Sequence, residues 1–368
     1  MSELSKKISE GDNLHRLNHF TIVHPEIKLN KKMMDIASIT DRSDQLEEID
    51  TSTMSKEKTQ ESISFQFSKP SDYLSKIKEY MPKEIISDEN YQEIQNVANY
   101  FNNDITSFFG FEIDLAAHHS KSDYLFAVSS KNHERDALLS ILENNNFPDE
   151  LNNNSSWKSV KEFTQKWSEP DSLLNERISG IWLEFDTSES LSDFPIPNFF
   201  FQTKKIRIDT EKDEQEFSWL TKEVIPILIR KKLSKRIENN LIESIKKLPK
   251  GSSVFHFGTM LSRNNAGIRI VINRIKPEEL LNYLHSIGWN HENQILIELL
   301  DELSKYISRI ILQVNISEKI DEKIGIECSF TIDKYHTETE WEKFLDFLEH
   351  NNFCKTEKKE AILNFVGA

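Results

Sequence analysis

Apolar and polar residues alternate along a series of short segments. Residues 109–115 (FGFEIDL), 180–186 (GIWLEFD) and 254–260 (VFHFGTM) carry bulky apolar side chains at every second position, with Glu112, Glu184 and His256 between them. A period of two predicts strands with one face buried. A second alternating segment follows each: 123–130 (DYLFAVSS), 198–204 (NFFFQTK) and 267–273 (GIRIVIN). A fourth pair occupies 310–317 (IILQVNIS) and 324–330 (IGIECSF).

Between the pairs the period becomes helical. Residues 138–147 (LLSILENNNF), 280–289 (LLNYLHSIGW) and 344–353 (FLDFLEHNNF) share one template, apolar or aromatic at the first, second, fourth, fifth and tenth positions. Each ends in an Asn- or Gly-containing turn that suits a helix C-terminus. Further helical stretches are expected at 157–167, 235–248, 293–307 and 357–366, while 217–229 fits the template poorly. Glu112, Glu184 and His256 recur 72 residues apart at the same strand phase, the mark of an internal repeat. A degenerate further unit precedes them, with strands at 19–27 and 62–68 and helices at 71–81 and 90–101.

The expected fold class is therefore α+β: repeated β-β-α-α units whose antiparallel sheet closes as a barrel with helices outside. Residues 28–61 are polar without apolar periodicity, so 1–61 is expected to be a partly disordered N-terminal segment and 62–368 a single domain. Residues 150–157 (ELNNNSSW) are expected to be a polar linker.

This element order resembles the ABBA-type aromatic prenyltransferases, whose barrel is built from repeated α-β-β-α units. The resemblance is one of topology. It implies group transfer to an aromatic or peptide substrate in a barrel lumen.

Strand alternation sorts the side chains. Phe111, Ile113, Ile181, Leu183, Phe185, Phe255, Phe257, Ile268, Ile270 and Ile272 are expected to face the helices. Glu112, Asp114, Trp182, Glu184, Asp186, His256, Gly258, Met260, Arg269, Val271, Asn273, Gln313, Asn315, Glu327 and Ser329 are expected to face the other side. Prenyl transfer needs a base, aromatic shielding of an allylic cation, and cations for a diphosphate. Glu184, Glu112 and His256 are candidate bases, and Trp182 and Tyr124 candidate aromatic walls. Arg269 and Arg263 are candidate cations, with Lys204 and Arg274 behind them; Asp186 and Glu327 complete the substrate contacts. The alternative is a non-catalytic protein that holds a peptide or small ligand on the same face.

A net charge of −15 argues against nucleic-acid and anionic-membrane partners. No secretory leader and no 18-residue apolar run occurs, so a soluble, cytoplasmic protein is expected. Cys328 and Cys354 form no framework. With 9 glycines and no GxSxG, Walker, GxGxxG or CxxC pattern, no cofactor is expected. His15 and His19 stand at i, i+4 without a third ligand, so no metal site is expected. His118 and His119 fall in a hairpin loop.

Overall fold

The computed structural model describes residues 19–22 and 69–364, apart from 107, 144–148, 188–194, 264–266, 291–293, 307–308 and 330–337. The expectations placed on 28–61 and on a strand at 62–68 lie outside these residues.

In chain order the elements begin with β1 (His19–Ile22), α1 (Pro70–Ile77), α2 (Asp88–Ala98), β2 (Phe108–Asp114) and β3 (Ser122–Ser129). Then come α3 (Glu134–Glu143), α4 (Asp149–Asn153), α5 (Ser155–Ser168), α6 (Leu173–Arg177), β4 (Ile178–Phe185) and β5 (Asn198–Ile206). They are followed by α7 (Glu211–Trp219), α8 (Ile225–Ile229), α9 (Lys235–Lys246), β6 (Ser253–Thr259) and β7 (Ile268–Ile275). The chain continues with α10 (Pro277–Ser286), α11 (Gln294–Leu303), β8 (Arg309–Ile316), β9 (Ile320–Ser329), α12 (Glu338–His350) and α13 (Thr356–Asn364).

Helix starts are written in local chemistry. Ser87, Asn154 and Ser234 accept hydrogen bonds from backbone N–H groups of the first turns of α2, α5 and α9. Asn154 also explains why 150–157 is not a linker: it caps α5, and α4 lies directly before it. The poor helical template at 217–229 has a cause as well. Pro226 has no N–H to donate, and α7 and α8 are joined by a π-helical segment, Leu220–Val224.

The strands form one antiparallel sheet in sequential order, β1 to β9. The expected closure is not present: among the described residues β1 and β9 are the two edges, and they do not pair. The sheet is a curled half-barrel instead. Its curvature is visible in the electrostatics. Glu112 on β2 and Glu327 on β9 stand seven strands apart, roughly 34 Å along a flat sheet, yet each glutamate belongs to one charge cluster.

The convex face is the core. Ile181, Leu183, Phe185, Phe199, Phe257, Ile270 and Leu312 are fully buried there. Phe163 of α5 meets Phe199 edge-on at 4.7 Å between centroids, and Phe101 meets Phe126 at 4.8 Å. In the shared helical template the first position is buried in all three copies: Leu138, Leu280 and Phe344. The second is not equivalent, since Leu139 and Leu281 are only half-buried while Leu345 is fully buried. A step of 100° around the helix carries that position to the margin of the apolar stripe.

The helical layer runs further round than the sheet. The Lys355 N–H, just before α13, donates to the Leu115 carbonyl at 2.9 Å, and Lys358 Nζ donates to the Asp114 carbonyl. The C-terminal helices are thus fastened to the end of β2. No helix among the described residues is long and apolar enough to cross a membrane.

Candidate functional site on the concave face

Register defines rows of side chains that run across the concave side. One row reads Phe108, Ala127, Trp182, Phe200, Gly258, Arg269 and Asn315, from β2 to β8. The next, on one side, reads Gly180, Gln202, His256, Val271, Gln313 and Gly325. On the other side Glu184 lies between Leu125 and Asn198, and Glu112 opposite Asp123. Glu112, Trp182, Glu184, His256, Arg269 and Glu327 therefore do share one face.

Two predicted placements are corrected. Phe255 does not face the helices, because the register shifts between Val254 and His256; Val254 takes the fully buried convex position, and the Phe255 ring packs on His256 at 4.3 Å between centroids. Tyr124 lies on the convex side, opposite Phe111 and Phe185, fully buried with its ring 6.5 Å from that of Phe185. It cannot wall the concave face.

The centre of the site is a carboxyl pair. Glu112 on β2 and Glu184 on β4 are hydrogen-bonded to each other across β3. Burial, then the charge of Glu112, pushes the Glu184 carboxyl well above the ordinary value of 4.5. Burial also raises Glu112, against the hydrogen bond from Glu184 and the charge of Arg269. Two carboxyls in contact titrate as a pair that shares a proton, with Glu184 raised further than Glu112. Glu327 is raised by burial despite its hydrogen bond from Gln313 and the charge of Arg269. It is the most open of the three: water reaches it from the concave side while the curl crowds it with protein.

Arg269 is the shared cation of this cluster, felt by Glu112, Glu184 and Glu327. Its Nε donates to Asn315 Oδ1 at 2.8 Å, and its guanidinium lies 6.0 Å from the centroid of Phe200. His256 stands apart from the carboxylates. Its pKa is pushed down to about 3 by burial, so it is neutral at pH 7, and Nε2 is buried with no hydrogen-bond partner among the described residues. Its ring lies 6.5 Å from Trp182.

Asp186 and Arg263 answer each other. Arg263 Nε and Nη2 donate to the two Asp186 oxygens at 2.9 and 2.8 Å, while Ser262 and Asn198 donate to the same carboxylate. Burial opposes ionisation of Asp186, but these donors outweigh it and hold its pKa below the carboxylate norm. The Thr187 N–H donates to Asp123 Oδ1 at 2.7 Å. Together these bonds pin the end of β4 that carries Glu184.

Lys204 is exposed, as are His118 and His119; Arg274 is half-buried with a left-handed φ of 61°. For the His15–His19 pair, His15 lies outside the described residues. Among the described residues no group of three His, Cys, Asp or Glu is arranged to hold a metal ion. A polar recess of about 370 Å³ between α1 and α2 is lined by Ser71, Gln95 and Asn99; Ser71 Oγ donates to Asn99 Oδ1 and Gln95 Nε2 to the Ser71 carbonyl.

Sequence reasoning missed Phe200 and the shared proton. Phe200 sits within three consecutive phenylalanines, where alternation carries no signal. Comparison of the chain with protein-family models, with curated proteins and with solved structures finds no match.

Proposed function

We propose that the chain is an acid–base enzyme of the group-transfer class, which holds a small organic substrate on the concave face and exchanges a proton with it through Glu112 and Glu184. One observation carries this: two carboxyls from different strands, hydrogen-bonded to each other beside Arg269. Such a pair presents a donor and an acceptor at one point, and its proton lies closer to neutral pH than that of a solvated glutamate. Trp182 and Phe200, adjacent in the same row, offer aromatic surface beside it.

The prenyl-diphosphate version of this chemistry is poorly supported. A diphosphate needs converging cations. Of the candidate cations, Arg263 is bonded to Asp186, Lys204 is exposed, and Arg269 faces three carboxyls. The same thinness supports a second reading, a binding protein without turnover that uses the same residues.

Native mass spectrometry of gently purified protein tests the proposal, comparing the wild type with Glu184→Gln. The expected result is a co-purified small molecule retained by the wild type and lost from a normally folded variant. Equal retention by both removes the concave face from the function.

A further inference from the structure

We infer that the ligand of the concave face is an organic cation, a primary ammonium or amidinium group carried on an aromatic or apolar body. This rests on the concave face being the site, as proposed above, and adds the class of molecule it takes.

Among the described residues the charges that act on one another across this face are unbalanced in one direction. Glu112, Glu184 and Glu327 arrive from β2, β4 and β9, and the cation they share is Arg269. Arg269 is already oriented away from a free role by Asn315. A second candidate guanidinium, Arg263, is committed to Asp186 in a bidentate pair. An anion entering this face meets more negative than positive charge in a partly desolvated recess, where repulsion is strong. A neutral ligand leaves the carboxyls as they are. A cation compensates them and converts the costly carboxyl pair into a receptor.

The apolar half of the ligand is specified independently. Trp182 and Phe200 are register neighbours on this face, and Gly258 beside them has no side chain to cover them. Aromatic faces next to carboxylates are the combination that holds an ammonium group. His256 Nε2, buried and without a partner among the described residues, adds an acceptor beside Trp182 for a ligand N–H or O–H.

Binding of a cation displaces the proton that the pair shares. The titratable and charged groups around that pair are Asp123 on β3, Asp186 after β4, Arg269 on β7 and Glu327 on β9. Affinity therefore rises with pH across the range in which the pair titrates, and about one proton is released per ligand bound.

The probes are phenethylammonium and benzamidinium, with 2-phenylethanol and phenylacetate as neutral and anionic counterparts. Calorimetry in two buffers of different ionisation enthalpy counts the protons, and tryptophan fluorescence reports occupancy. The expected result is at least tenfold tighter binding of an ammonium or amidinium probe than of its counterparts, with proton release. Trp182→Phe should abolish the fluorescence response, and Glu184→Gln should weaken binding at least tenfold; Glu112→Gln serves if Glu184→Gln melts early. If 2-phenylethanol or phenylacetate binds as tightly, with the same dependence on Glu184 and Trp182, the cation is wrong and the concave site stands. If no probe binds in a way that depends on Glu184, Glu112 or Trp182, the cation inference fails. Retention of the co-purified molecule in the mass-spectrometry test then decides the site separately.

Discussion

The Phe200 ring lies directly over the α-carbon of Gly258: a methyl group added at Gly258 would stand 2.2 Å from Phe200 Cδ1. The absence of a side chain at this position of β6 is what lets the aromatic ring from β5 lie over it, in the row that runs from Trp182 to Arg269. Gly258→Ala should force the ring aside and cost about 1–3 kcal/mol, the usual range for overpacking. Urea unfolding measures this, and Phe200→Ala in the same chain should restore most of the loss. No loss in the single variant would mean that the ring moves freely.

Glu184 makes stability fall as pH rises. Its folded pKa is well above 4.5, so above that pH the folded chain binds more protons than the unfolded one. The contribution is fully present at about pH 4.5 and is lost as pH climbs through the folded value. Glu184→Gln removes it. The melting temperature of the wild type, minus that of the variant, should decline as pH rises above about 4.5. A flat difference would place Glu184 in an ordinary solvated setting.

His256 has the opposite sign. Its folded pKa of about 3 is below the ordinary 6.5, so the unfolded chain binds the extra proton between them. Stability from this group is complete above pH 6.5 and is lost as pH falls toward about 3. In His256→Gln, acid unfolding should begin at lower pH than in the wild type. An unchanged acid limb would show that the imidazole is hydrated.

Arg263 fastens the end of β4 through Asp186, which is 2% exposed. Arg263→Met leaves that carboxylate with Ser262 and Asn198 alone. The expected cost is about 3 kcal/mol, the lower end for breaking a buried pair. Adding Asp186→Asn should recover part of it, as a double-mutant cycle would quantify.

The helical template makes a graded prediction. Leu138→Ala and Leu280→Ala remove fully buried side chains and should each cost about 2–5 kcal/mol. Leu139→Ala and Leu281→Ala, at half-buried positions, should cost distinctly less. Equal losses would place the stripe boundary elsewhere.

The gathering of Glu112, Glu184, Arg269 and Glu327 on one face was legible, because a strand's period of two is a local property. The helical starts at Ser87, Asn154 and Ser234 rest on caps within three residues, a local signal that the apolar template does not carry. The bulge at Phe255 was not, since a one-residue shift leaves the apolar pattern intact while turning side chains over. The Asp186–Arg263 pair joins residues 77 positions apart, and nothing in either neighbourhood names the other. Tyr124 was misplaced because an aromatic residue suits either face of a sheet. The shared proton depends on curvature, which strand patterns do not encode.

The bond from Lys358 to the Asp114 carbonyl links positions 244 residues apart. Asp114 ends the strand that carries Glu112, so that strand receives its last fastening from nearly the final segment described. A loop of that span is among the slowest to close, and its entropy is offset only when the C-terminal helices dock. On the ribosome, β2 and β3 emerge long before Lys358, and a nascent chain stopped short of it lacks this bond at the end of β2. The strand that carries Glu112 is thus tethered at its far end by a lysine of the last helix described.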